Sequence, residues 1–200
     1  MPYPRRPDVP GAVHHVNAQG TNKEPIFYDD VDRRTFLTHL DRTARKHGWV
    51  VLAYCLMTTH YHLVLRVPLG GLSEGMRLLN WGYSLRTNRR HRRTMHLFRQ
   101  RFFSVTIETD AHLLESLRYT VLNPIQARMC ERPEDWPWSS YRSTAGLEAA
   151  LPFLAVEEVL GLFGRDSRRA ESAYRDFVED GMSRVSDTEW LLARDDPFRR

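Results

Sequence analysis

The sequence predicts an α+β fold of the ferredoxin-like, split β-α-β type: a four-stranded antiparallel sheet with helices on one face, plus a C-terminal helical appendage. Two observations carry this. Residues 49–57 and 63–67 are rich in β-branched and aromatic side chains, as buried strands are, and meet near Thr58-Thr59. Around that pair the apolar residues recur in the order strand, helix, strand, strand, helix, strand, helix, with no internal repeat.

Each element has its own justification. Residues 11–19 read as a first strand and residues 20–25 as a loop. A helix over 30–46 follows from Phe36, Leu37 and Leu40 at helical spacing, stopped by His47-Gly48. Ser73 can cap a second helix reaching about Asn88, with Met76, Leu79 and Tyr83 on one side. Residues 102–108 alternate as a fourth strand. Asp110 can cap a helix to about Leu122, and Pro124 disfavours helical geometry at Asn123, so the helix should end there. Trp136, Trp138 and Tyr141 read as a docking loop behind that helix. Residues 1–146 form one domain in this reading. Residues 147–200 form the appendage, with helical periodicity over 156–163 and 168–179 and a polar, frayed end at 186–200.

Composition limits the function classes. With 200 residues, 42% of them hydrophobic, the chain can bury one proper core. Cys55 and Cys130 are too few for a disulfide framework or a Cys-rich zinc site. Residues 1–10 hold four prolines and two arginines without an apolar run, unlike a secretory signal. The longest apolar run falls far short of the ~20 residues that cross a bilayer. A soluble, cytoplasmic protein with no membrane partner is therefore expected. The net charge is +4, and residues 86–101 hold seven arginines (Arg86, Arg89, Arg90, Arg92, Arg93, Arg99 and Arg101) and no acid. Such a stretch is an electrostatic footprint for phosphates; the competing reading is a solvated face.

The chemistry-bearing candidates lie in two places. On a strand, side chains alternate, so His60 and His62 point one way and Tyr61 the other. Such pairs are more often two hydrogen-bonded polar residues than a metal site. Here both lie within a strongly apolar segment, where a shared ligand would offset the cost of burial. On the third helix Leu113, Leu114, Leu117 and Val121 form the packing stripe, while Tyr119 and Asn123 sit one turn apart on the opposite side, near His112, Glu115 and Ser116.

A strand-borne His-hydrophobic-His followed by a helix carrying Tyr-x-x-x-Asn resembles the HUH-type transposases with a single catalytic tyrosine, and their REP-associated branch in particular. The likeness runs from Gly11 to Gly146. It passes through Ile26-Phe27-Tyr28-Asp29-Asp30, His60-Tyr61-His62-Leu63, Asn88-Arg89-Arg90-His91, His96-Leu97-Phe98, Tyr119-Thr120-Val121-Leu122-Asn123-Pro124 and the Trp136-Pro137-Trp138 segment. What the resemblance implies is a nuclease and strand transferase acting on single-stranded or hairpin DNA. His60, His62 and Asn123 would hold Mg²⁺ or Mn²⁺, and Tyr119 would form a 5′-phosphotyrosine. The seven arginines would meet DNA phosphates, and Trp81, Phe98, Phe102 and Phe103 are candidate stacking surfaces. The chain departs from the family pattern in three places. Thr59 stands for the usual Asn, Gln19 for an Arg, and Arg99-Gln100-Arg101-Phe102-Phe103 for Gln-Gly-Arg-Phe-Lys. They keep open an alternative, a domesticated DNA-binding protein of the same fold with weak or no catalysis. Monomer or homodimer is left undetermined.

Overall fold

The structure, a computed structural model, describes residues 9–182; the expectations for residues 1–8 and 186–200 concern positions outside that range. In chain order the elements are β1 (Val13–Gln19), α1 (Asp30–His47), β2 (Val50–Leu56), β3 (His60–Arg66), α2 (Leu72–Arg90), β4 (Phe103–Ile107) and α3 (Asp110–Gln126). Then come α4 (Tyr141–Thr144), α5 (Val156–Gly161) and α6 (Ser167–Met182). The four strands form one antiparallel sheet in the order β2-β3-β1-β4, as the split β-α-β pattern predicts.

The helices are not confined to one face. Tyr61, Leu63 and Leu65 of β3 join Val16 and Ala18 of β1 in a core closed by Phe36 and Leu40 of α1 and by Met76, Leu79 and Tyr83 of α2. Val64 points the other way, into a second core with Leu117, Val121 and Leu122 of α3, Val159 and Leu160 of α5, and Tyr174 and Val178 of α6. The correction has a simple cause. Leu63, Val64 and Leu65 are consecutive and all fully buried, so both faces of this strand must be covered. In β2 the register shifts between Val51 and Ala53, and this irregularity turns the adjacent Leu52 and Ala53 both toward the second core.

Local chemistry explains most boundaries. Asp29 caps α1 by accepting from the backbone nitrogens of Val31 and Asp32, and Gly48 closes it at φ 65, a left-handed turn that favours glycine. The second helix starts one residue before Ser73, after Gly71 at φ 76, without a side-chain cap. It runs past Asn88 to Arg90, whose guanidinium is anchored by Asp29 and Asp32 at 2.6 Å each. On α3 the cap is Thr109, whose hydroxyl accepts from His112 N, rather than Asp110. That helix also continues through Pro124 to Gln126 instead of ending at Asn123. The proline forfeits one helical hydrogen bond, and packing of the buried residues from Ser116 to Pro124 outweighs the local preference.

The chain after α3 is fastened to the outer edge of β2. Leu56 N donates to Trp138 O (2.8 Å), Ser140 N to Tyr54 O (2.9 Å), and the Trp136 indole to Leu56 O (3.2 Å). Arg33 from α1 inserts its guanidinium beside both indoles, 5.4 and 5.6 Å from the ring centres. An otherwise open strand edge is thereby covered, and the end of α3 is tied to the sheet.

Candidate active site

Register decides what stands beside the two histidines. In the β1–β3 ladder Asn17 pairs with His62 and Gln19 with His60, so His15, Asn17 and Gln19 share their face of the sheet. Sequence reasoning put His60 and His62 together, and the structure does so: their ring centres are 5.0 Å apart and nearly perpendicular. It adds His15, whose Nε2 lies 3.0 Å from His62 Nδ1 with the rings stacked at 5.2 Å and 11°. Thr59, the departure from the family pattern, places its hydroxyl 3.1 Å from His60 Nδ1.

Tyr119 arrives from α3. Its ring stands edge-on to both His15 (5.7 Å) and His62 (5.6 Å). Opposite the apolar stripe, as expected, it is nevertheless buried, at 6% exposure. Burial runs unbroken from Ser116 to Pro124, because α3 is wedged between the sheet and α6. Its polar stripe is turned down onto the polar floor made by β1 and β3 instead of out to water. Asn123 lies one turn beyond Tyr119, also buried, its amide nitrogen donating to Tyr119 O at 2.9 Å. That leaves the side-chain carbonyl as the atom able to face a cation.

The electrostatics of this floor are set by burial. Desolvation, with a smaller contribution from His112 on α3, pushes His15 down to about 4. His15 is thus neutral near pH 7 and can act as a hydrogen-bond acceptor as well as a donor.

A divalent cation fits these residues. Two imidazoles sharing a cation at about 2.1 Å from each nitrogen bring their ring centres to roughly 4.6–5.3 Å apart, which brackets the 5.0 Å observed. Both histidines have Nδ1 engaged, by Thr59 and by His15, so Nε2 is the nitrogen each would offer. Asn17 Oδ1 and Gln19 Oε1, on the same face, are buried acceptors without a hydrogen-bond partner among the described residues. Buried oxygens in that state are costly unless a cation or donor reaches them. Among the described residues no group of three His, Cys, Asp or Glu side chains is placed to hold a metal ion; Asn123, which carries an amide oxygen, is the third ligand that the family resemblance implies.

The arginine-rich segment is sorted by its contacts. Arg90 is held by Asp29 and Asp32, and Arg93 by Glu24 at 2.7 Å and the Tyr28 hydroxyl. These four contacts fold the loop after α2 back onto the start of α1. Arg99 N donates to Gln19 O and Thr21 N to Leu97 O, which brings Arg99 to the end of the sheet where His60 sits. Arg101 is exposed just before β4, and Arg92 is exposed at the turn after α2. Arg86 and Arg89 line a groove of about 600 Å³ between α1 and α2, with Arg42, His39 and the exposed Trp81. Of the aromatic candidates, Trp81 is 61% exposed, Phe102 is in the first core, Phe98 packs against it, and Phe103 is half-buried on β4. Among the described residues no helix is long and apolar enough to cross a membrane.

From sequence, His14 and His15 could approach the pair only if β1 neighbours β3, with hydrogen bonding within the sheet the preferred reading. The strands do neighbour, His15 reaches His62, and Asn17 is a member of this face that sequence reasoning did not single out. The alternation Val13, His15, Asn17, Gln19 along β1 is the signal that carries them.

Comparison with known proteins bears on the family and the fold. Residues 10–120 match the family model described as transposase, IS200-like. A curated relative, the REP-associated tyrosine transposase of Haemophilus influenzae, is 24% identical over 117 residues, 53% of this chain. The match covers 66% of that relative, just under two thirds of its length. Among solved structures, a REP-associated tyrosine transposase bound to a REP hairpin superposes with a TM-score of 0.63 at 14% identity, over 78% of this chain and 92% of that one. At that identity the likeness speaks for the fold.

Proposed function

The chain belongs to the IS200-like transposase family, and on that premise we propose that it is a single-strand DNA endonuclease and strand transferase acting on hairpin or other unpaired DNA. The observation that carries the reading is the position of Tyr119. A phenol from a helix far along the chain stands edge-on to His62 at 5.6 Å, on the face where the paired histidines converge. The hairpin carried by the solved relative is what suggests the substrate class.

In this reading the residues divide the work. Tyr119 gives up its proton and its oxygen attacks phosphorus; the new O–P bond forms as the P–O3′ bond breaks, and the departing 3′ oxygen takes up a proton. The product is a 5′-phosphotyrosine and a free 3′-hydroxyl, and attack by another 3′-hydroxyl reverses the step. The bond energy is conserved in the covalent link, so no nucleotide hydrolysis is required. A phenol with a pKa of about 10 is a weak nucleophile at neutral pH and needs an activated phosphate. His60, His62 and Asn123 would hold Mg²⁺ or Mn²⁺, which when bound would draw charge from a non-bridging phosphate oxygen. Nitrogen ligands suit Mn²⁺ better than Mg²⁺. Arg99 and Arg101 would meet the backbone near the site, and Arg86, Arg89 and Arg92 further along it. Arg90 and Arg93 would act chiefly by holding the loop in place.

Incubation with labelled hairpin oligonucleotides taken from the DNA flanking its own gene, with each divalent ion, tests this. A covalent protein–DNA adduct is expected from the natural chain and none from Tyr119→Phe, with hairpin binding retained. Adduct formation by the Phe variant would reject Tyr119 as the nucleophile.

A further inference from the structure

We propose that His15 is a positioning residue of this site: its Nε2 accepts the Nδ1 proton of His62, fixing the tautomer whose Nε2 would face a cation, while its ring borders that of Tyr119. The inference rests on the metal-site reading of His60 and His62 and extends it to a strand that the reading did not include.

Three observations carry it. The 3.0 Å contact joins one ring nitrogen of each histidine, so one must donate and the other accept. If His62 is to offer Nε2 as a lone pair, its proton has to sit on Nδ1, and His15 Nε2 is the group placed to receive it. The stacked geometry, 11° between planes, also stops His62 from rotating. Finally, Tyr119 meets His15 and His62 alike, at 5.7 and 5.6 Å, so the ring that orients the ligand also borders the nucleophile. Thr59 stands in the same relation to His60, with its hydroxyl at Nδ1. Each histidine thus has its own partner on the nitrogen turned away from the shared point.

A purely structural role would look different. Stacked, buried histidines could merely fill space between β1 and β3, and then only stability would respond to substitution. The test therefore reads the ligand itself. In the full-length, metal-free protein at pH 8, ¹⁵N NMR of the histidine side chains is expected to show His62 protonated at Nδ1. His62 protonated at Nε2 would overturn the proposal. Mn²⁺ alone is then titrated, with binding followed by electron paramagnetic resonance. His15→Phe keeps an aromatic ring beside Tyr119 and removes the acceptor, and a loss of Mn²⁺ affinity of about 10- to 100-fold is expected. His15→Gln restores a carbonyl acceptor and should recover most of that affinity. A folded His15→Phe protein that binds Mn²⁺ as the natural chain does would refute the inference while leaving the metal site intact. Should His15→Phe not fold, the tautomer measured in the natural chain decides. Mn²⁺ binding that is absent, or unaffected by His62→Ala, would instead strike at the metal site and take the inference with it.

Discussion

Replacing Gly181 of α6 by alanine tests how firmly the C-terminal helices hold the helix that carries Tyr119. A Cβ built on Gly181 falls 2.3 Å from Arg118 Cδ and 2.8 Å from its Nε. Carbon atoms in contact sit about 3.5–4.0 Å apart, so one partner must retreat by more than 1 Å. Arg118 is poorly placed to do so. Its Nη2 is bound by both oxygens of Glu115 at 2.5 and 2.7 Å, and its guanidinium lies 4.5 Å from the centre of the Phe177 ring. Overpacking of this kind costs about 1–3 kcal/mol. Alanine recovers up to ~1 kcal/mol of helix propensity, less in the final turn of a helix. A net loss of about 1–2 kcal/mol follows, a fall in Tm of roughly 2–8 °C for a chain of this size. Urea unfolding followed by tryptophan fluorescence measures it, with the urea dependence unchanged. In an Arg118→Ala background the obstacle is gone, and Gly181→Ala should become neutral or stabilising. Equal cost in both backgrounds, or no cost with Arg118 present, would refute the reasoning.

Three further expectations follow from the same contacts. The Asp32 carboxylate, whose side chain is 2% exposed, accepts from Arg90 (2.6 Å), Tyr28 N (2.9 Å) and His91 (2.9 Å). Asp32→Ala should cost about 2 kcal/mol, toward the low end for a broken ion pair because Arg90 stays partly hydrated; chemical denaturation reads this. Arg86→Ala and Arg89→Ala should each lower the slope of log affinity for a hairpin oligonucleotide against log salt by about 1. Arg90→Ala should act mainly on stability, since its charge is already paired with Asp29 and Asp32. Equal slope losses at all three would contradict that sorting. Asp29 is held down to about 2, chiefly by its hydrogen bond from Arg90. A carboxylate below its ordinary range stabilises the fold above about pH 4 and loses that contribution as pH falls toward 2. Asp29→Asn keeps the helix cap but should flatten this part of an acid unfolding curve recorded between pH 2 and 4.

What could be read from the chain was local. That His60 and His62 share a face follows from the two-residue period of a strand, and that Tyr119 and Asn123 lie one turn apart follows from the period of a helix. Arg90 and Arg93 mark the opposite case. In sequence they are indistinguishable from Arg99, yet two are neutralised by carboxylates from the start of the chain and one is carried to the end of β1. Pro124 is similar, because its local preference for ending the helix lost to the burial of this stretch of α3.

By itself, then, the sequence determined the element order, the paired imidazoles and the one-turn spacing of Tyr119 and Asn123, because each depends on neighbours within a few residues; the nucleophile role of Tyr119 is what the family resemblance implies. Only the tertiary structure decided that α3 closes over the face opposite α1 and α2, and that His15 meets His62. It also decided that Tyr119 is buried against both. Those facts depend on strand register and on which side of the sheet a helix covers, and both are set by how apolar surface is shared among elements distant in the chain.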